Sequence, residues 1–243
     1  MKKNFLKGVA LALAVVIAAT AVGVGVPAQA AKKRRSQITI GIDPGHQQGG
    51  DLSKEANGPG SRVKKYKVSY GTSGRYSKIP EYQVTLAVGK KLQKELKVRG
   101  YNVVMTRTKN NVNISNKNRA LKLNKSCDIA VRLHCDGAGA SAHGASMQCS
   151  SKNNPYYIGK LYSQCNKLSK SILNAYCKKT GISKIGTVYR DDLTGTNWST
   201  IPVTLIEMGF MTNRNDDLYM SKSANQTKMA KGIADGIDAY FGF

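Results

Sequence analysis

Acid is what this chain has little of: 14 Asp and Glu stand against 38 Lys and Arg in 243 residues, a formal charge of +24. An excess of that size selects anionic surroundings, either nucleic acid or an anionic envelope polymer, and says nothing about fold. Cysteine is present five times but without a CxxC pair, which argues against a closed zinc-thiolate site. A chain of this length also buries its own core without a disulfide framework. Buried free thiols are therefore expected at Cys127, Cys135 and Cys149, which sit in apolar strand-like segments. Histidine occurs three times, at 46, 134 and 143, so each can be weighed on its own, and Trp198 is the one tryptophan. No internal repeat is visible.

Long apolar runs are also scarce. The one at the start, Gly8 to Val26, follows Lys2, Lys3 and Lys7 and leads into "PAQAA", where Ala28 and Ala30 form the small-x-small pattern of a secretory cleavage site. Residues 1–30 read as a signal peptide and 31–36 as a basic leader, with the folded domain at 37–243. The run is just long enough to cross a bilayer, so an uncleaved anchor is the alternative, opposed by Thr20, Gly23 and Gly25 within it. Removing residues 1–30 takes away three lysines and no acid, leaving +21 of the +24. Behind a secretion signal such a charge points to wall polymers and lipid head groups, not to nucleic acid.

Beyond the leader, strand-like and helix-like segments alternate. "QITIGID" is short and β-branched, a first strand. From Pro80 to Arg99, Val84, Val88, Leu92 and Leu96 recur every four positions and Gly100 closes the run, which predicts an amphipathic helix. "NVVMTRT", "DIAVRLH", "GASMQCS" and "IPVTLIE" read as further strands, the third of these at an edge, and "KIGTVYR" as a short strand or loop. Helices are expected over 114–124, 155–179 and 225–241. Such alternation implies right-handed crossovers and one α/β domain, its mostly parallel sheet covered by helices on both faces. Residues 47–79 hold six glycines without a clear period, a long functional or mobile loop. The segment "DDLTGTNWST" carries Asn197 and Trp198, candidates for gripping a sugar or peptide, with a satellite hydrophobic cluster as the other use of the tryptophan.

Three ionisable residues stand where strands end: His46 after the first, His134 closing "DIAVRLH", and Glu207 closing "PVTLIE". Ligands of open parallel sheets bind outside the carboxyl ends of the strands, so these groups are expected to converge. Each has an ordinary reading as well. His134 could be an interior histidine bonded to backbone. Glu81, in the first turn of the helix from Pro80, could simply favour the helix dipole by ~0.3 to 1 kcal/mol. Glu207 is harder to dismiss, because a buried unpaired carboxylate is costly unless a cation is nearby. Two imidazoles and one carboxylate match the open shell of a catalytic zinc. His143, in the small-residue loop "GASAHGAS", is expected to be exposed.

The segments "IGIDPGH", "PEYQVTLAVGKKLQKELKVRGYNVVMTRT", "NRALKLNKSCDIAVRLHCDGA", "PVTLIEMGFMTNRNDD" and "GIADGIDAYF", in that order, resemble the zinc-dependent N-acetylmuramoyl-L-alanine amidases of bacterial walls. The resemblance spans the whole region beyond the leader. It implies a mixed sheet of about six strands, Zn²⁺ held by His46, Glu81 and His134, Glu207 as the catalytic carboxylate, and peptidoglycan as substrate. Two features depart from the family: the interval from His46 to Glu81 is longer than in its simplest members, and Cys135 stands where alanine is more common. No wall-binding repeat is visible, which leaves anionic wall polymers to the basic surface. The expected protein is a secreted, wall-located monomer, touching membrane only if the signal segment stays uncleaved. Competing readings are a zinc carboxypeptidase acting on stem peptides, an inert cationic wall-binding protein, and a cysteine hydrolase using Cys135 or Cys149. The last is opposed by strand alternation, which turns Cys135 away from the face of His134.

Overall fold

A computed structural model describes residues 33–243; the expected signal peptide lies outside the described residues. Eight strands and six helices follow one another as β1 (Thr39–Pro44), β2 (Asp51–Ala56), β3 (Lys64–Val68), α1 (Glu81–Val98), β4 (Asn102–Met105), α2 (Asn116–Asn124), β5 (Ile129–Asp136), β6 (Ala145–Cys149), α3 (Tyr162–Thr180), β7 (Lys184–Tyr189), α4 (Thr194–Asn197), β8 (Val203–Phe210), α5 (Arg214–Met220) and α6 (Ser223–Phe241). Six strands form one sheet in the order β4-β1-β5-β8-β6-β7. Its first four strands are mutually parallel, β6 runs antiparallel to β8, and β7 follows β6 in parallel. The expected mixed, mostly parallel α/β sheet is thus observed, with two reversed strands at one side.

Strand alternation sorts the sheet into two unlike faces. One face presents Ile40, Ile42, Val131, Leu133, Cys135, Ile206 and Met208, all buried in a continuous core with α1, α3 and α6. The stripe Val84, Val88, Leu92 and Leu96 of α1 is at most 1% exposed, as the four-residue period requires. The other face is polar where it matters: Asp43, Arg132, His134 and Glu207 occupy alternate positions of β1, β5 and β8. The register places Asp43 opposite Arg132 and His134 opposite Glu207. Helix α2, capped by the Ser115 hydroxyl accepting the Asn118 N–H, stands over this side and meets α4.

Several local expectations shift. "GASMQCS" is not an edge strand, since β6 lies between β8 and β7. Residues 47–79 are not a structureless loop, because β2 and β3 pair there as an antiparallel hairpin. The helix expected from Pro155 begins at Tyr162, after a 3-10 turn over Tyr157–Leu161. The leader is tied down where it is described: Arg35 donates to Asp238 at 2.9 Å and lies 4.3 Å from the Phe243 ring. All five cysteines are free thiols, four of them buried. Among the described residues no helix is long and apolar enough to cross a membrane.

Candidate active site

Strand β1 ends in a turn whose carbonyls are held from below. Arg107 donates to the carbonyl oxygens of Pro44 and Gly45 at 3.0 Å each, and Arg119 to those of Pro44 and His46 at 2.7 and 2.9 Å. The Thr85 hydroxyl adds a second bond to the Gly45 oxygen. This clamp holds His46 in the left-handed region, φ 57°, a conformation disfavoured for any residue with a Cβ. Gly45 is obligatory for a different reason: a Cβ there would fall within the His134 imidazole. Gly71, at φ 81°, closes the far side, where a Cβ would stand 2.8 Å from both Glu81 Oε2 and the His46 ring.

Glu81 is the centre of the arrangement. It is 2% exposed at the start of α1, and its Oε2 accepts the Thr72 N–H while its Oε1 accepts the Cys135 N–H, each at 3.0 Å. His134 Nδ1 stands 3.1 Å from Oε1 and His46 Nε2 3.3 Å from Oε2. His46 Nδ1 donates to the Ser69 carbonyl at 2.9 Å. Burial by itself would raise the Glu81 carboxyl, yet the two histidines hold it well below the usual carboxylate range. His134 is pushed down to about 4 by burial, with Glu81 opposing, so its imidazole is neutral at ordinary pH.

The three side chains meet the requirements of a metal site. One ligand atom from each of His46, Glu81 and His134 lies within 4.8 Å of the others. His134 Nε2 is buried without a hydrogen-bond partner among the described residues, a vacancy that an interior seldom tolerates. The donor set, two imidazoles and one carboxylate, suits zinc.

Glu207 faces this group from β8. Burial, then the charges of Glu81 and Asp136, push its carboxyl well above the ordinary value, and its Oε2 is buried with no hydrogen-bond partner among the described residues. It lines a cleft of about 300 Å³ together with His46, His134, Arg132, Asn116, Lys65, Arg190 and Asp192. The β2–β3 hairpin forms one wall.

Asn197 and Trp198 are not among the residues lining this cleft. Asn197 is 1% exposed and its amide nitrogen donates to the Asn57 and Asp191 carbonyls, at 3.1 and 2.8 Å. Trp198 donates its indole N–H to the Ala56 carbonyl at 2.9 Å and lies under Lys117. Both pin the hairpin to the domain; residue type suggested a ligand contact, and only tertiary position shows the backbone they serve. His143 is exposed and is not among the residues lining the cleft. Cys135 packs in the apolar core on the face opposite His134, as alternation predicted. The residues that sequence reasoning passed over are Asp43, Arg107, Arg119 and Arg132. For Asp43 and Arg132 the signal was charge inside apolar strand segments, "GIDPGH" and "IAVRLH"; Arg107, just after β4, and Arg119, on α2, carried none.

Comparison with known proteins agrees with this geometry. The family model described as N-acetylmuramoyl-L-alanine amidase matches residues 40–239. The chain is 26% identical over 161 residues to the uncharacterized protein YqiI of Bacillus subtilis, covering 66% of this chain and 74% of that protein. It is 25% identical over 204 residues to the probable cell wall amidase LytH of Staphylococcus aureus, 84% of this chain but 58% of LytH, so it spans little more than half of that relative. Among solved structures it resembles the amidase Ami1 of Mycobacterium smegmatis (TM-score 0.77, 22% identity, 86% of this chain and 99% of that one). Ami1 of Mycobacterium abscessus is similar as well (TM-score 0.74, 26% identity, 84% and 98%). A match over residues 40–239, on a fold that brings His46, Glu81, His134 and Glu207 to one rim, leaves a single assignment: the chain belongs to the N-acetylmuramoyl-L-alanine amidase family.

Proposed function

We propose that this protein is a secreted peptidoglycan hydrolase that cleaves the amide between N-acetylmuramic acid and the L-alanine of the stem peptide. The observation that carries the reading is the buried His46–Glu81–His134 donor set with Glu207 opposite His134 across the β5–β8 register. His46, Glu81 and His134 would hold zinc. When bound, that ion supplies Lewis acidity, polarising the scissile carbonyl and lowering the pKa of water to about 7.

The chain's own residues do the rest. Ser69 and Glu81 orient the two imidazoles, and the clamp from Arg107 and Arg119 keeps His46 from relaxing out of its strained backbone. Glu207 keeps Oε2 free of hydrogen bonds among the described residues and binds a proton readily, so it is suited to take the proton of the attacking water and deliver it to the leaving amine. No side-chain nucleophile is required, and Cys135 lies on the wrong face to be one.

Digestion of purified peptidoglycan tests the reading. Free L-alanine amino termini should appear without new reducing sugars. Release of a terminal amino acid would instead select a carboxypeptidase, and no cleavage would select a wall-binding protein.

Retention on walls is expected to be electrostatic, given the net +21 beyond residue 30. Exposed charges are screened beyond ~8 Å at physiological salt. Sedimentation with walls should therefore fall steeply as salt rises, and further once anionic polymers are stripped. Retention that ignores salt would argue for a shaped carbohydrate site.

A further inference from the structure

Beneath the cleft lies an unbalanced set of buried charges. Its acid among the described residues is Asp43, 1% exposed and shared between Arg119 Nη1 at 3.0 Å and Arg132 Nε at 2.9 Å. Arg107, 3% exposed, is close enough to feel both Asp43 and Arg119. Three guanidinium groups thus face one carboxylate. Arg107 and Arg119 are satisfied by the backbone carbonyls of the β1 turn. Arg132 is not satisfied in full: its Nε serves Asp43, its Nη2 donates to Asn116 Oδ1 at 2.8 Å, and its Nη1 makes no hydrogen bond among the described residues. Arg132 is 5% exposed, and what remains open of it lines the cleft. Gly195 packs flat against the guanidinium; a Cβ there would stand 2.7 Å from both Nη1 and Nη2. Lys65 and Arg190 add positive charge at the rim, each paired with Asp192.

Arg132 is paired with Asp43, yet its guanidinium, held by two of its nitrogens, offers the third as a fixed donor for a carboxylate. We infer that Arg132 forms a subsite for a substrate carboxylate, the one on the residue that follows L-alanine in the stem peptide. Spacing supports that position. Arg132 lies two residues before His134 on the same face of β5, a step of ~6.6 Å along the strand. In an extended peptide, the carboxyl carbon of the residue after L-alanine lies about two residue lengths from the scissile carbonyl, ~7 Å. A stem peptide running along β5 with its scissile amide beside His134 and Glu207 brings that carboxylate to Arg132.

The inference rests on the proposed amidase reading, and two substrates separate them. They are muramoyl tripeptides that differ only in whether the carboxyl of the second residue is free or converted to the amide. The wild-type protein should favour the free acid by about tenfold to a hundredfold in kcat/KM, the range for a hydrogen bond to a charged group. Arg132→Gln keeps bonding capacity toward Asp43 and Asn116 and should bring that ratio to about one; a purely structural role would lower both rates and leave the ratio intact. Should the variant fail to fold, the wild-type ratio still decides. Equal rates on the two substrates overturn the subsite. So does cleavage of whole peptidoglycan with neither tripeptide cleaved, because a subsite on the stem acts on the isolated stem too. Cleavage of neither tripeptides nor walls overturns the amidase reading itself.

Discussion

Glu207→Gln should leave zinc near one per chain and lower the rate of peptidoglycan cleavage by ~10² to 10⁴, the range attributed to a positioned acid–base group. The substitution preserves size and leaves His46, Glu81 and His134 untouched; what it removes is the group that exchanges a proton. The Oε2 of Glu207 has no protein partner to lose among the described residues, so folding should change little. His134→Ala should behave differently. It removes a donor and opens a cavity beside Gly45, and metal and activity should disappear together. Zinc content, cleavage rate and a thermal melt on both variants make the contrast readable. A folded, zinc-loaded Glu207→Gln protein that is nearly as active as the parent would remove Glu207 from the mechanism. One that is folded but zinc-free would make Glu207 a ligand and reopen the part played by Glu81.

The second large effect concerns stability. Asp43→Ala leaves Arg119 and Arg132 buried without their acid, and breaking a buried pair in this way costs ~3 to 5 kcal/mol. For a chain of this size that corresponds to a fall on the order of 10 °C in melting temperature. The loss should depend on pH in a defined direction. Burial alone would raise the Asp43 carboxyl, but Arg119, Arg132 and the Thr106 hydroxyl hold it well below the usual carboxylate range. Its contribution is therefore complete above the unfolded value near pH 4 and is lost as pH falls through the lower, folded value. Parent and Asp43→Ala should differ in melting temperature at pH 7 by the full amount and converge only in strong acid. A constant difference down to the lowest accessible pH would show that packing, not charge, makes the residue necessary.

Asp43 also marks the boundary of what could be read in advance. In "GIDPGH" it looked like the polar end of a strand. Nothing in the six letters reveals that Arg119, 76 positions away on α2, and Arg132, 89 positions away on β5, close on its two oxygens. Residues 47–79 were opaque for another reason: strands β2 and β3 are polar on much of both faces, so no alternation announces them. Asn197 and Trp198 were legible as special but not as to what they serve, since a side chain that grips a ligand and one that grips a loop use the same donors.

What the residues determined unaided was the order of elements outside residues 47–79. The four-residue stripe of α1 and the short β-branched strands are local patterns, set by which faces must leave water. The placement of His46, His134 and Glu207 at strand ends follows from the parallel topology those patterns imply. Tertiary structure alone decided the register that sets His134 against Glu207, the left-handed turn at His46, and the arginines that hold it. Those depend on contacts between segments 60 to 90 residues apart. Such contacts are selected by geometric fit in a closely packed interior, which no single stretch of chain encodes.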